Sequence, residues 1–405
     1  MDKIIEGKMG KIEISFTAGV EYQGRIYVSP LDINGLMEFD LTTQKLSYIK
    51  RFVKEEGYLG LHQRAFLYKN KAWFIPKLGQ YIAIVDLDIL EIDYIEPPYK
   101  IIKERTNTGI KALYYSGGLI AKRFLYLVPT NTDTFLVIDL ETKTLYPYYD
   151  ISIENEIFLN AAYQNEEIYL FPFIGNKMMK LNLYTKEKRI YSLEWFFKMK
   201  RKSRQAYINM IYCKGRVWMI PCHADNILSV DLSTQEVEII PLGNYYDERY
   251  TYHDAFLEGD ILYVLPLDGE KILKLNIINK KISELYLEEK FLDNNKNGLF
   301  RLDSKDKKIF CSTRKSYLFI YDLEKDSYDS IKMDIERNVF LKWLNEETGK
   351  KGLLRLKELI DKDCYIEKIL GLECFMEAVE KKEDLEENRK SDRKNIWDIV
   401  KSTKK

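Results

Sequence analysis

Histidine is scarce in this chain: His62, His223 and His253 are the only three in 405 residues. None belongs to a His-x-x-x-His pair, and the five cysteines, Cys213, Cys222, Cys311, Cys364 and Cys374, include no Cys-x-x-Cys. A zinc site built from neighbouring positions is excluded, since the adjacent pair Cys222–His223 supplies too few ligands; only distant loops could converge on one. The cysteines show no paired spacing, which argues against a disulfide framework and for a reducing compartment. No window approaches the ~20 apolar residues of a membrane-spanning helix. The opening MDKIIEGKMGKIEISF has no apolar h-region, so no secretory leader is expected and the expected location is the cytoplasm. An excess of one charge is missing as well: Lys plus Arg and Asp plus Glu number 63 each. That balance gives no reason to expect nucleic acid or an anionic membrane as partner. Walker loop, dinucleotide fingerprint, Gly-x-Ser-x-Gly and His-Glu-x-x-His are absent, and neither metal nor cofactor is expected.

Proline is also sparse, with ten in the chain, and six of the ten carry the main signal. They recur as Pro30, Pro76, Pro129, Pro172, Pro221 and Pro266, and ten residues after each stands Asp40, Asp86, Asp139, Asn182, Asp231 or Asn276. A seventh unit keeps the spacing with Ser312 and Asp322. Leu or Ile follows each Asp or Asn, as in DLTTQK, DLETKT and DLSTQE. Three residues before each Pro stand Tyr27, Trp73, Tyr126, Tyr169, Trp218 and Tyr263, with Ile309 in the seventh unit. Self-similarity at a period of this length is the signature of a repeat architecture.

Each unit divides into four short strands. In the fifth they are NMIYC, VWMIP, ILSVDL and VEIIPL, joined by KGR, CHADN and STQE. The run before the Pro is apolar on both faces, so that strand lies between two other layers. Four-stranded units with doubly buried middle strands specify a β-propeller, in which blades pack face to face and the ring closes on itself. The Pro ends the second strand, where losing a ladder donor costs little. The Asp or Asn ends the third and accepts backbone N–H groups in the turn. The expected fold is all-β: a seven-bladed β-propeller of four-stranded blades over residues 1–334, with units near 15–50, 62–97, 110–149, 158–194, 207–243, 253–288 and 298–333. Its hydrophobic-aromatic-hydrophobic-Pro and Val-Asp-Leu-x-Thr pattern resembles the kelch and YVTN-type propeller repeats, and the chain is similar to uncharacterised propellers of low-GC bacteria. The resemblance implies the fold and brings no catalytic residue with it. The kelch double glycine is missing from most units; the one in SGGLIA falls in an apparent insertion.

After Asp334 the apolar spacing turns helical, through Phe340, Leu341, Leu344, Leu353, Leu356 and Leu359. A C-terminal α-helical extension is expected over 335–405. It would cap the propeller rim or reach a partner.

In a propeller the loop between strands two and three opens on the face where strand one begins. The hairpins on the other face are short and polar, so the candidate site lies with the longer loops. Residues twelve before each Pro give Arg64, Asn160, Asn209 and Asp254, with Lys111 if the third unit carries its insertion. The loops after the Pro add Asp32, Lys77, His223, Asp225, Asp268, Glu270 and Arg314. The connection NYYDERYTYHDAF adds Tyr252 and His253, and His62 precedes strand one of the second unit. All three histidines therefore fall on one expected face. Two functions fit. One is an intracellular scaffold that binds a peptide, protein or carbohydrate through His62, Arg64, Lys77, Lys111, Asn160, Asn209, His223, Tyr252, His253, Asp254 and Arg314. The alternative is a lyase or hydrolase acting on a carbohydrate or peptide, with His223 or His253 as general acid–base and Asp254, Asp268 or Glu270 as carboxylate. The tyrosines of the sixth-unit connection have a plainer reading as strand packing.

Overall fold

The computed structural model describes residues 15–343 except 32, 56–59, 99–114, 130–131, 133, 152, 154–155, 175–176, 193–206, 235, 248–250, 289–298, 305–307, 314–315, 334, 337–338 and 340–341. Within them the chain forms seven antiparallel sheets, each of four consecutive strands paired in chain order. This is the seven-bladed propeller expected from the repeat. The inner strands are Phe16–Tyr22, His62–Tyr68, Tyr115–Ala121, Ile157–Gln164, Tyr207–Cys213, Thr251–Glu258 and Phe300–Arg301. The expected helical extension lies almost wholly outside the described residues and is not shown; of its span only Val339, Lys342 and Trp343 are described as helical.

The repeat has a physical cause at each of its fixed positions. The Asp or Asn after strand three caps the next turn with its Oδ1. Asp40 accepts the N–H of Thr42 and Thr43 at 2.8 and 2.9 Å, and Asp231 those of Ser233 and Thr234 at 2.8 and 3.0 Å. The Ser233 hydroxyl, followed by these backbone bonds, holds the Asp231 carboxyl down to about 2. The Pro closes strand two in blades one, two, three and five. In blades four and six the strand continues two residues further, because Ile174 pairs with Ile157 and Asp268 with Thr251.

The aromatic three residues before the Pro faces the next blade. Tyr27 shares a core with Ala65 and Phe74 of blade two, and Trp73 with Leu125, Leu127 and Leu136 of blade three. Tyr126 packs with Ile168 and Leu170 of blade four, and Tyr169 with Met210 and Val217 of blade five. Trp218 packs with Ala255 and Val264 of blade six, and Tyr263 with Phe319 and Tyr321 of blade seven. The indole N–H groups of Trp73 and Trp218 are buried without an acceptor, a cost of ~1–3 kcal/mol each. Burying ~200 Å² of aromatic surface at ~25 cal/mol/Å² returns about 5 kcal/mol, so packing prevails.

Inner strands also approach one another closely. At Gly118 a Cβ would lie 2.8 Å from the Tyr126 carbonyl oxygen and 3.1 Å from Cζ of Phe66 in blade two. The double glycine of SGGLIA is thus part of the third inner strand and not an insertion, and at Gly118 only hydrogen fits.

The ring closes between blades seven and one without strand exchange, since every sheet is contiguous in sequence. Asp303, just past the short seventh inner strand, forms a parallel bridge to Val20. Glu21 donates its N–H to the Asp303 carbonyl at 2.8 Å, and Asp303 donates its own to Gly19 at 3.2 Å. Ser312, in place of the seventh Pro, donates its hydroxyl to the Phe16 carbonyl at 2.5 Å. Beyond the last strand the chain crosses to blade one. Buried Trp343 donates its indole N–H to the Asn34 carbonyl at 3.2 Å, and Lys342 donates to the Tyr48 carbonyl at 2.8 Å. Asn34 in turn holds Phe52, accepting its N–H at 3.1 Å.

Trp73→Ala and Trp218→Ala should each cost roughly 3–5 kcal/mol, the range for large aromatic deletions in cores; urea unfolding of the two variants measures it. Trp343→Ala should act first on blade one. Hydrogen exchange followed by mass spectrometry should speed up over residues 31–55 before any other segment responds.

Candidate functional site

Six inner strands carry a ring-bearing residue directly opposite the Pro, as first residue in four and second in blades four and six: Phe16, His62, Tyr115, Phe158, Tyr207 and Tyr252. Phe300 takes the same place opposite Ser312. In the six Pro-containing blades one bulged residue follows, and the next pairs with the residue before the Pro. Around the axis this position is Ala18, Arg64, Gly117, Asn160, Asn209, Asp254 and Arg301. A bulge re-aims the side chain that follows it, and bulges gather beside functional sites.

This register sorts the expected residues. Arg64, Asn160, Asn209 and Asp254 occupy the ring position on blades two, four, five and six. On blade three the position belongs to Gly117 rather than Lys111, because the inner strand begins at Tyr115 and contains no insertion. Lys111, Asp32 and Arg314 lie outside the described residues. Arg301 was missed by counting from the Pro position. The seventh hairpin shows no bulge among its described pairs and spans fewer residues (Phe300 to Ser312, against Phe16 to Pro30), so twelve residues back falls on Phe300.

Blades five and six are joined at the ring position. Asn209 donates from Nδ2 to Oδ1 of Asp254 at 2.7 Å, and the same oxygen accepts the Ala255 N–H at 2.8 Å. Asn209 Oδ1 likewise accepts the Met210 N–H at 2.7 Å. His253, in the bulge, sets its ring edge-on to Phe300 of blade seven, with centroids 5.0 Å apart. Arg64 lies over Phe66 at 5.7 Å, and Arg301 lies over Phe256 at 5.7 Å.

Asp303 was not foreseen. Its Oδ2 accepts the Leu67 N–H of blade two at 2.7 Å. Burial pushes its carboxyl above the ordinary range, opposed by the Leu67 N–H and by the nearby charges of Arg301 and Arg64. A conventional pattern search has no handle on it, since its place depends on the seam between blades seven and one.

The loops of the same face carry half-buried His223, Asp268 and Glu270 and exposed Lys77 and Asp225. Thr251 donates its hydroxyl to Asp268 Oδ2 at 3.3 Å. Cys222, beside His223, is buried, and desolvation with the Asp268 charge pushes its thiol up to about 11. It is a packing residue, not a nucleophile. Cys311, equivalent to Ile75 and Val128, is likewise buried. Tyr252 is buried opposite Pro266, and Tyr245 donates its hydroxyl to the Ile282 carbonyl at 3.1 Å. Both pack with the core between blades five and six, as the plainer reading of that connection has it. Among the described residues no group of three or more His, Cys, Asp and Glu side chains is placed to hold a metal ion, and no helix is long and apolar enough to cross a membrane.

His62 opens strand one of blade two on the same face as the other histidines, but it is fully buried. Its Nδ1 lies 2.8 Å from the Ser29 hydroxyl of blade one, and its ring packs against Phe52 and Phe74 at 4.6 and 5.5 Å. It occupies the slot that aromatic rings take in the other blades. Desolvation holds its pKa down to about 3. The folded value therefore lies below the unfolded value of ~6.5, so the unfolded chain binds the proton first. The stability contributed by neutral His62 is complete above pH ~6.5 and is lost as pH falls from there towards 3, by at most ~1.4 kcal/mol per pH unit. Urea unfolding between pH 7 and 5 should show a steeper loss for the native sequence than for His62→Gln.

No protein-family model matches the chain, and no curated protein matches it. Solved structures match at the level of fold. A computationally designed protein, Ika8, shares 12% identity at a TM-score of 0.51, covering 80% of this chain and 89% of its own. PorZ, a surface component of the type-IX secretion system of Porphyromonas gingivalis, shares 9% at a TM-score of 0.55 over 81% of this chain, which spans only 39% of the PorZ chain. Kuenenia stuttgartiensis hydrazine synthase shares 10% at a TM-score of 0.51, over 82% of this chain and 99% of its own. A designed protein, a secretion component and an enzyme have in common with this chain the propeller, and that fold is what the similarities establish.

Proposed function

We propose that this chain is a cytoplasmic binding scaffold whose ligand, a peptide, a protein segment or a carbohydrate, seats in the funnel on the face of the loops between strands two and three. The observation that carries the reading is the bond from Asn209 to Asp254. It joins two polar side chains of neighbouring inner strands beside His253, on strands whose other faces are locked into the core. Polar groups fixed on rigid strands, with half-buried His223 and Glu270 above them, suit recognition, because little ordering is left to be done on binding. The reducing location is supported by the thiols Cys213, Cys222 and Cys311, none of which is in a disulfide. The kelch- and YVTN-like character of the repeat belongs to the same reading, as does a helical extension after residue 334 that contacts a partner. Met333, Ile335 and Trp343, which seat the start of that segment in buried sites, support its docking on the propeller rim.

Less supports the lyase or hydrolase reading. Its base needs a histidine paired with a carboxylate. The ring of His253 lies edge-on to Phe300, and Asp254 Oδ1 already accepts two bonds.

The test is a glycan array and a tiled peptide library probed with the full chain, followed by titration of the best binder. Asn209→Ala and His223→Ala should each weaken that binder roughly tenfold, while their unfolding midpoints stay close to the parent's. A binder that holds equally well to the double variant sits elsewhere on the molecule and refutes the funnel.

A further inference from the structure

Seven arginines lie among the described residues, and five are engaged. Arg25 pairs with Glu38, Arg123 with Asp139, Arg189 with Glu187, and Arg216 with Asp231 and Glu238. Arg51 donates to the Glu55 carbonyl at 2.8 Å. The other two are Arg64 and Arg301. Among the described residues neither forms a hydrogen bond or an ion pair, and each lies only over an aromatic ring. Both occupy the ring position on the channel, on the two blades that flank blade one. Both are half-buried, so their desolvation is only partly offset by the rings beneath them.

Blade one, which separates them, sets no long side chain at the ring position, since Ala18 is small and fully buried in the core with blade two. Blade three has Gly117 there, so small residues stand on both sides of Arg64. The carboxylate whose charge reaches both guanidiniums, Asp303, is committed elsewhere. Its main chain is paired with blade one, and its Oδ2 accepts the Leu67 N–H. With Asp303 ionised, the trio still carries one net positive charge. Asp254, on the far side of Arg301, has an oxygen bound to Asn209 and to the chain. A guanidinium presents planar, forked donors that match the oxygens of a carboxylate or phosphate, and a narrow channel of low dielectric strengthens that match.

We propose that the channel receives an oxyanion, a carboxylate or phosphate group of the ligand, between Arg64 and Arg301, the two arginines that flank blade one. This rests on the funnel as the binding site and narrows its ligand to one with an acidic group.

The experiment titrates the full chain with inorganic phosphate and with succinate, each against sodium chloride of equal ionic strength, by calorimetry and thermal unfolding. At least one probe should bind and raise the unfolding midpoint beyond the chloride control, and the stronger of the two identifies the acidic group. Arg64→Gln and Arg301→Gln should each weaken it roughly tenfold without shifting the midpoint of the free protein. If Arg64→Gln fails to fold, Arg301→Gln and Arg64→Lys serve instead; the lysine keeps the charge but loses the fork. No stabilisation beyond chloride, or equal affinity in the double variant, overturns the proposal. A neutral binder from the arrays that depends on Asn209 but not on either arginine would overturn the oxyanion alone and leave the funnel standing. An array screen with no funnel binder would remove both.

Discussion

The packing of one aromatic side chain per blade against the next sheet is the interaction on which the remainder of this molecule depends. Tyr27, Trp73, Tyr126, Tyr169, Trp218 and Tyr263 each leave the second strand of one blade and enter the core shared with the following one. A four-stranded sheet of this size has two apolar faces and cannot hide either alone. Stacking hides both, and closing the stack into a ring removes the last exposed face. The inner strands are brought together as a consequence, and with them the residues of the ring position.

The seam between blades seven and one meets the same demand differently. Ile309 replaces the aromatic and Ser312 replaces the Pro, and the seventh inner strand spans two residues. The seam adds polar bonds: Ser312 to Phe16, Glu21 to Asp303, Asp303 to Gly19, and Ser304 to Glu21 at 3.0 Å. Trp343 then ties the chain that leaves blade seven to the loop of blade one. Asp303 thereby serves two purposes. It completes the ring through its main chain, and through its carboxylate it places a negative charge within reach of Arg64 and Arg301.

The site is less symmetrical than its scaffold. At one backbone position the seven blades present Ala, Arg, Gly, Asn, Asn, Asp and Arg, whereas two positions earlier in six of them they present a ring in every case. Where packing governs, the residue type recurs. Where it does not, the types diverge, and charges of both signs appear around one axis. His62 and His253 show how narrow the division is. They are one register step apart in their strands, and the first is sealed against Phe52 and Phe74 while the second stands half-buried beside Phe300.

Sequence alone determined what each repeat must do locally. Strand two ends near a Pro because a ladder donor can be spared there, a carboxylate or amide caps the turn, and an aromatic stands three residues before the Pro to be buried. These are short-range demands that leave the Pro and the aromatic at the same offsets in six units and an Asp or Asn in all seven, so the fold and the blade count could be counted off. The bulge was decided only in three dimensions. It adds a residue of no fixed type, so spacing could not reveal that His62 takes an aromatic slot, that Gly117 and not Lys111 reaches the channel, or that the shorter seventh hairpin sets Arg301 there. The closure of the ring was decided there too. Asp303 meets Val20 and Leu67 across more than two hundred residues of chain, and no local pattern records a contact made when the last blade returns to the first.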